Sequence, residues 1–248
     1  VGVDAIQRLE QIRAELDAEG RVKVADLAEQ LGVSEMTVRR DLDALADQGV
    51  AQRVRGGALA IGPQSFADRY GQAAKAKDVI ADKLLALVDD GGAIGIDAST
   101  TLQRLAARLG EARALTVVTN SPESFTVLGQ HPGVTALLTG GQLDPRTGSL
   151  VGPLAHRAAG EVALRRLFVS AAGVDVDGGT SEATLEEAEV KRALAGAAPS
   201  VVVAVDSSKL DQRGAARCLR LTEVDVLVTE LDPDDPALDP YRPHCEVR

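Results

Sequence analysis

The stretch from Val24 to Leu45 constrains this chain more than any other. Val24, Leu27, Ala28 and Leu31 form an apolar stripe at helical spacing that closes at Gly32, and Ser34 then opens a second helix, with Val38, Leu42 and Leu45 on one face. Two short amphipathic helices joined by a glycine-containing turn of about three residues have the spacing that a helix-turn-helix requires. An earlier stripe, Ile6, Leu9, Ile12 and Leu16, adds a third helix that stops at Gly20. Ser34 suits the N-cap of the last helix. On a helical wheel Met36, Arg40 and Asp43 lie opposite its buried face, with Thr37 and Arg39 on the flanks.

A stop is expected at Gly49. The alternating run 50–59 then reads as a strand, a turn at Gly56-Gly57 and the start of a second strand, which makes a hairpin wing. Arg53 and Arg55 are two apart and are expected on one side of the strand, where a wing meets phosphates or the minor groove. Ser34, Thr37, Arg39, Arg40, Arg53, Arg55 and Gly56 are therefore the candidate contacts to double-stranded DNA. The charge balance runs against this: the formal net charge is −10, and residues 1–60 hold eight basic and eleven acidic side chains. Over a screening length of about 8 Å only the presented face counts, so the composition implies weak non-specific binding and dependence on base contacts.

Gly62-Pro63-Gln64-Ser65 breaks the pattern and divides the chain into a winged domain at 1–61, a linker at 62–77 and a larger domain at 78–248. In the larger part, short β-branched runs at 93–96, 115–119, 134–138, 167–171, 201–205 and 226–228 alternate with helical segments. The fold class implied is α/β: an N-terminal winged helix-turn-helix followed by a larger open α/β domain with a mostly parallel sheet. The Asp/Pro-rich stretch 231–240 reads as a surface tail.

Ligands of open α/β sheets sit outside the carboxyl ends of the strands. Here those ends carry Asp97, Ser99, Thr100 and Thr101, then Thr119 and Asn120, then Gly140-Gly141, Gly173, and finally Lys209. A hydroxyl-rich turn at a helix N-terminus suits an anion, glycines allow close backbone approach, and Lys209 supplies a cation. Taken singly, Ser99, Thr100 and Ser121 are better explained as helix caps, the glycines as turns and Lys209 as a solvated charge. Their convergence on one sheet edge favours a ligand pocket.

Other chemistry finds little support. His131, His156 and His244 are far apart and no metal spacing is present. Glycine pairs occur without a dinucleotide or phosphate-loop context, so no cofactor is implied. Glu182, Glu186, Glu187 and Glu189 read as the solvated first turns of a helix. No apolar run reaches the 18 or so residues of a membrane span, the first twenty residues are unlike a secretory leader, and Cys218 and Cys245 make no disulfide framework; a cytoplasmic protein is expected.

With these residues in view, the chain resembles the DeoR family of bacterial transcriptional regulators over nearly its whole length. The resemblance is carried by Val24 to Ala28, Val33 to Leu42 and Gly56-Gly57-Ala58 in the first part. In the second it is carried by Asp97 to Thr101, Val118-Thr119-Asn120, Gly140-Gly141, Gly173 and Asp206 to Lys209. Ser99 stands where the family often has Gly, Arg55 where it often has His, and Glu230 where Asp is more usual. The resemblance implies a homo-oligomeric repressor, dimer or tetramer, of a sugar or carbohydrate operon. It also implies a sensor domain similar to ribose-5-phosphate isomerase that responds to a phosphorylated sugar. The rival from another class is a sugar-phosphate isomerase-like enzyme carrying a winged domain, with Asp97, Asp175 or Asp206 beside Lys209 for acid-base work. A third reading makes the winged domain a protein-protein module.

Overall fold

Gly32 ends one helix in the left-handed conformation at φ 64°, and Ser34 Oγ accepts the Thr37 N–H at 3.1 Å to begin the next. In the computed structural model, which describes residues 5–47, 51–60 and 66–248, these are α2 (Val24–Leu31) and α3 (Glu35–Asp47). They follow α1 (Ala5–Glu19) and a short strand β1 (Arg21–Lys23), and precede the hairpin of β2 (Ala51–Val54) and β3 (Gly57–Ala60). The expected stop at Gly49 and the break at Gly62 to Ser65 lie outside the described residues. Strand β1 was not anticipated: it adds to the far side of β3, giving an antiparallel order β1-β3-β2. Three residues are too few to show a period. Ile12, Leu16, Val22, Leu27, Val38, Leu42, Leu45 and Ala58 form the core, so the stripes of α2 and α3 and the Leu9, Ile12 and Leu16 part of the α1 stripe face inward, while the side chain of Ile6 lies outside those described.

The two wing glycines do different work. The hairpin turn is Arg55-Gly56 rather than Gly56-Gly57, and Gly56 takes its left-handed position at φ 82°. Gly57 already belongs to β3, and a Cβ there would lie 2.0 Å from the Val22 carbonyl oxygen; its missing side chain is what lets β1 pair.

The chain divides into two compact units between Arg69 and Tyr70, within α4 (Phe66–Gly71). Part of the expected linker is thus helical, since α5 (Ala74–Leu85) also begins inside 62–77 and buries Lys77. The second unit then runs β4 (Gly92–Ile96), α6 (Thr100–Arg108), β5 (Leu115–Thr119), α7 (Pro122–Leu128), β6 (Val134–Leu138), β7 (Gln142–Leu143), β8 (Leu150–Val151) and α8 (Pro153–Gly160). It continues with β9 (Arg166–Val169), β10 (Gly173–Asp175), β11 (Gly179–Glu182), α9 (Leu185–Gly196), β12 (Val201–Ala204), β13 (Ala216–Arg217), β14 (Val226–Val228) and β15 (Glu246–Val247).

Seven strands form a parallel sheet in the order β15-β14-β12-β9-β4-β5-β6. Alternate residues serve opposite faces. Leu167, Val169, Val201 and Val203 pack with Ala155, Ala159 and Leu194 of α8 and α9, while Phe168, Val202 and Ala204 pack with Ile80, Leu84, Leu102 and Leu105 of α5 and α6. This doubly covered sheet explains why its strands read as continuous apolar runs. From β4 the chain proceeds outward to β5 and β6, then crosses back to β9 on the other side of β4. The switch point therefore lies between β4 and β9, the place at whose carboxyl ends open α/β sheets bind their ligands.

The stretch read as a surface tail is a correction. Leu238 and Tyr241 are fully buried, and β15 extends the sheet beyond β14. The Tyr241 hydroxyl donates to the Val174 carbonyl at 3.0 Å and lies 3.1 Å from Asp211 Oδ1, while accepting the Asp211 N–H at 3.1 Å. A single aromatic among Asp and Pro anchors the whole segment.

Candidate functional site

On the winged domain, α3 presents Ser34, Arg39 and Arg40 exposed and Thr37 half-buried. Ser34 Oγ also lies 2.9 Å from Thr37 Oγ1, so the cap and the neighbouring hydroxyl form one unit. Arg39 pairs with Glu35 one turn back at 3.0 Å, in solvent, where such a pair contributes little. Among the described residues Arg40 and Arg55 have no hydrogen bond or ion pair. Arg53 is placed differently from the expectation: its Nε donates to Asp43 Oδ1 at 2.7 Å and its Nη1 to the Gly57 carbonyl at 2.7 Å, tying α3 to the hairpin. Arg8 is likewise turned inward, as a two-point pair with Asp41 that links α1 to α3.

In the second unit the residues nominated from sequence share the carboxyl edge of the sheet, but many of them hold the edge together. Asp97 is fully buried. Its Oδ1 accepts the Ser99 N–H at 3.1 Å and its Oδ2 the Ser170 N–H at 2.9 Å, which pins the β4 and β9 loops together across the switch point. Ser99 is the N-cap of α6, accepting from the Leu102 N–H at 3.2 Å. Thr100 and Thr101 follow, both buried, and Thr101 Oγ1 has no hydrogen-bond partner.

One strand over, Thr119 Oγ1 accepts the Ser121 N–H at 3.1 Å, and Asn120 exchanges two hydrogen bonds with the Leu150 backbone. Thr139 donates its N–H to the Thr119 carbonyl and its hydroxyl to the Gly140 carbonyl. Gly140 and Gly141 both adopt positive φ, and Gly141 sits against the N-terminal end of α8, where a Cβ would meet the Val151 oxygen at 2.7 Å. Gly173 lies against the Gln212 carbonyl, and Lys209 is half-buried in the turn after β12. These last two stand further along the same edge.

What sequence reasoning missed is the charge behind this edge. Lys191 of α9 is buried, with Nζ 2.8 Å from Asp97 Oδ2, 2.8 Å from Glu182 Oε1 and 2.8 Å from the Ser170 carbonyl it donates to. The acidic residues read as a solvated helix start divide: Glu186 and Glu189 are exposed, but Glu182 is on β11 and buried, and so is Glu187. Glu187 closes the first turn of α9, its backbone N–H donating to Thr184 Oγ1 at 3.2 Å. Burial pushes the Glu182 carboxyl up to about 7, against the pull of Lys191 and with help from Glu187. Burial would lower the Lys191 ammonium, but Asp97, Glu182 and Glu187 outweigh it and hold it above the usual lysine range.

A raised carboxyl favours folding most when protonated. The Glu182 contribution is therefore full below pH 4.5 and is lost as pH rises through 7, a total of about 3 kcal/mol for a shift of this size. Urea denaturation across that window should show wild type losing stability relative to Glu182→Gln by this order; parallel profiles would remove Glu182 from the titration.

Four buried polar atoms at this edge have no protein hydrogen-bond partner: Thr101 Oγ1, Asn120 Oδ1, Ser124 Oγ and Ser170 Oγ. Leaving such a group unpaired costs about 1–3 kcal/mol, so four at one sheet edge are available to bond water or a polar ligand. Ser124 and Ser170 were not nominated from sequence; an isolated serine carries no pattern.

Comparisons with known proteins agree with both halves. Residues 8–64 match the DeoR-like helix-turn-helix domain and residues 72–231 the DeoR C-terminal sensor domain. The chain is 33% identical over 224 residues to the HTH-type transcriptional regulator GlpR of Haloferax volcanii, spanning 88% of this chain and 87% of that one. It is 29% identical over 236 residues to the lactose phosphotransferase system repressor of Streptococcus mutans, spanning 92% and 93%. A ribose-5-phosphate isomerase bound to phospho-erythronic acid matches 54% of this chain and 52% of its own at 17% identity and a TM-score of 0.40. The full-length relatives are named as regulators and repressors, not as enzymes. The chain belongs to the DeoR family of transcriptional regulators, with that family's DNA-binding helix-turn-helix followed by its sensor domain.

Proposed function

We propose that this regulator is a cytoplasmic, homo-oligomeric repressor of a sugar operon whose affinity for operator DNA is set by a phosphorylated sugar. In this proposal the winged domain at 1–61 reads the duplex through Ser34, Thr37, Arg39, Arg40, Arg55 and Gly56. Arg53 holds α3 against the hairpin. The stretch 62–77 connects to the effector domain at 78–248. No helix among the described residues is long and apolar enough to cross a membrane.

One observation carries the effector reading: a buried hydroxyl, Thr101 Oγ1, without a partner in the first turn of α6. The helix end offers unsatisfied N–H groups and a favourable dipole to an anion, and the Thr101 hydroxyl adds a donor. Asn120 and Ser170 suit sugar hydroxyls, Gly140, Gly141 and Gly173 shape the walls, and Lys209 offsets part of the charge. Asp97 and Lys191 act through the loops they fix.

Thermal denaturation of the full chain against a panel of sugar phosphates tests this. At 100 times its dissociation constant a true effector stabilises the fold by about 2.7 kcal/mol, a rise of roughly 5–10 °C for a domain of this size. Thr101→Val removes an unpaired buried hydroxyl. It should leave the ligand-free midpoint unchanged or higher while weakening the effector about tenfold or more. Absence of any response, or an equal response in Thr101→Val, would sink the assignment.

A further inference from the structure

Strand β6 is the outer edge of the seven-stranded sheet, and it lacks every ordinary guard against pairing. Its sequence, Val134-Thr135-Ala136-Leu137-Leu138, holds no charge, no proline and no glycine, and Leu137 and Leu138 are 45% and 36% exposed. The opposite edge is managed differently. Strand β15 has two residues, Glu246 and Val247, and Glu246 forms an ion pair with Arg248, so that edge is short and charged.

The backbone of β6 is set for a second partner. Leu115 donates its N–H to the Gly133 carbonyl and Thr139 donates its own to the Thr119 carbonyl, so in this parallel ladder residues 133, 135, 137 and 139 turn toward β5. Ala136 and Leu138 consequently direct their N–H and C=O groups away from the sheet, together with the Val134 carbonyl. The Val134 N–H is already used, donating to the His131 carbonyl at 3.1 Å. Phe125 of α7, the helix packed against β6, is also more than a third exposed, so apolar surface extends beyond the strand. An exposed, uncharged edge with an apolar neighbour marks an interaction site.

We propose that β6 pairs antiparallel with β6 of a second copy about a two-fold axis, joining two sensor sheets into one of fourteen strands. The edge is its own complement. With the axis at Ala136, the two Ala136 residues exchange N–H and C=O bonds, and each Leu138 N–H meets the Val134 carbonyl of the other copy. Every outward N–H is then used, and identical uncharged faces meet without the repulsion that two chains of net charge −10 would otherwise feel. A peptide of another protein would find no charged group on this strand to select it. Pairing also supplies the two reading heads that a helix-turn-helix uses on a palindromic site. The inference names the surface for the homo-oligomer proposed above and rests on that reading.

Sedimentation velocity on the full-length protein tests it with Ala136→Pro and Leu138→Lys, and with Leu185→Lys on the exposed start of α9 as control. Proline at 136 removes an outward donor and no bond to β5. Lysine at 138 places a charge opposite Val134 of the other copy, in an otherwise apolar pair, and does so twice. Both variants should sediment at half the wild-type mass, with self-association weakened on the order of 100-fold, since each change acts twice across the axis. Their circular dichroism should match wild type, and the control should keep the wild-type mass. If wild type is itself a monomer at micromolar concentration, the homo-oligomer reading fails and this one with it. If wild type is oligomeric and both folded variants keep its mass, only the β6 interface is overturned.

Discussion

Lys191→Met is expected to cost the sensor domain about 3–5 kcal/mol, the largest effect of any single change considered. The ammonium is 2.8 Å from both Asp97 and Glu182, and Glu187 is buried nearby. Removing it leaves carboxylates with almost no exposure and no cation, and it frees the Ser170 carbonyl that Lys191 holds. Glu182 is the partner best able to respond by taking up a proton, because burial already pushes its carboxyl up to about 7. Lys191→Met combined with Glu182→Gln should therefore recover a good part of the loss, whereas combination with Glu186→Gln, on the exposed side of α9, should recover none. Urea denaturation of the three proteins decides it. A loss below about 1 kcal/mol for Lys191→Met would mean that the triad is hydrated and makes little contribution.

Arg40→Ala is expected to weaken binding to an operator selected from random duplexes by 1–3 kcal/mol, roughly 5- to 150-fold, with relaxed preference at one base pair. Arg40 is exposed on the outer face of α3 and has no partner among the described residues, so its guanidinium is available for a base edge. Arg55 is also unpaired but sits at the hairpin turn. Arg55→Ala should leave sequence preference intact and reduce the salt slope by about one. Arg53 should behave like neither. With Asp43 and the Gly57 carbonyl already on its guanidinium, Arg53→Ala should lower the melting temperature of the winged domain and leave the salt slope unchanged. Fluorescence anisotropy at several salt concentrations separates the three. A uniform loss across all sequences for Arg40→Ala would make it a phosphate contact instead.

The elements that were legible in the sequence are those whose side chains repeat. The stripes of α1 to α3 and the apolar runs of the parallel sheet each state a period, and Gly32 and Ser34 mark a boundary by their own backbone and side-chain chemistry. Side-chain direction at the end of an element is not periodic, so Arg53 could be placed on a strand but not turned toward Asp43. The Glu-rich stretch was misread because acid near a helix start is ordinarily solvated. One signal was available: Glu187 and Lys191 are four apart and fall on the same face as Leu194, which is a core position. A charged pair inside an apolar stripe is the mark of a buried network. Composition misled at 231–240, where Leu238 and the adjoining Tyr241 outweigh their acidic neighbours because both are fully buried.

That tyrosine orders events in time. The winged domain leaves the ribosome first and has its own core. The loops bearing Gly173 and Lys209 flank Val174 and Asp211, the two residues that the Tyr241 hydroxyl bridges. Those loops therefore reach their final positions only after residue 241 has been made. A chain that stalls or is clipped before it would carry a folded winged domain joined to a second domain whose carboxyl-edge loops have lost their anchor.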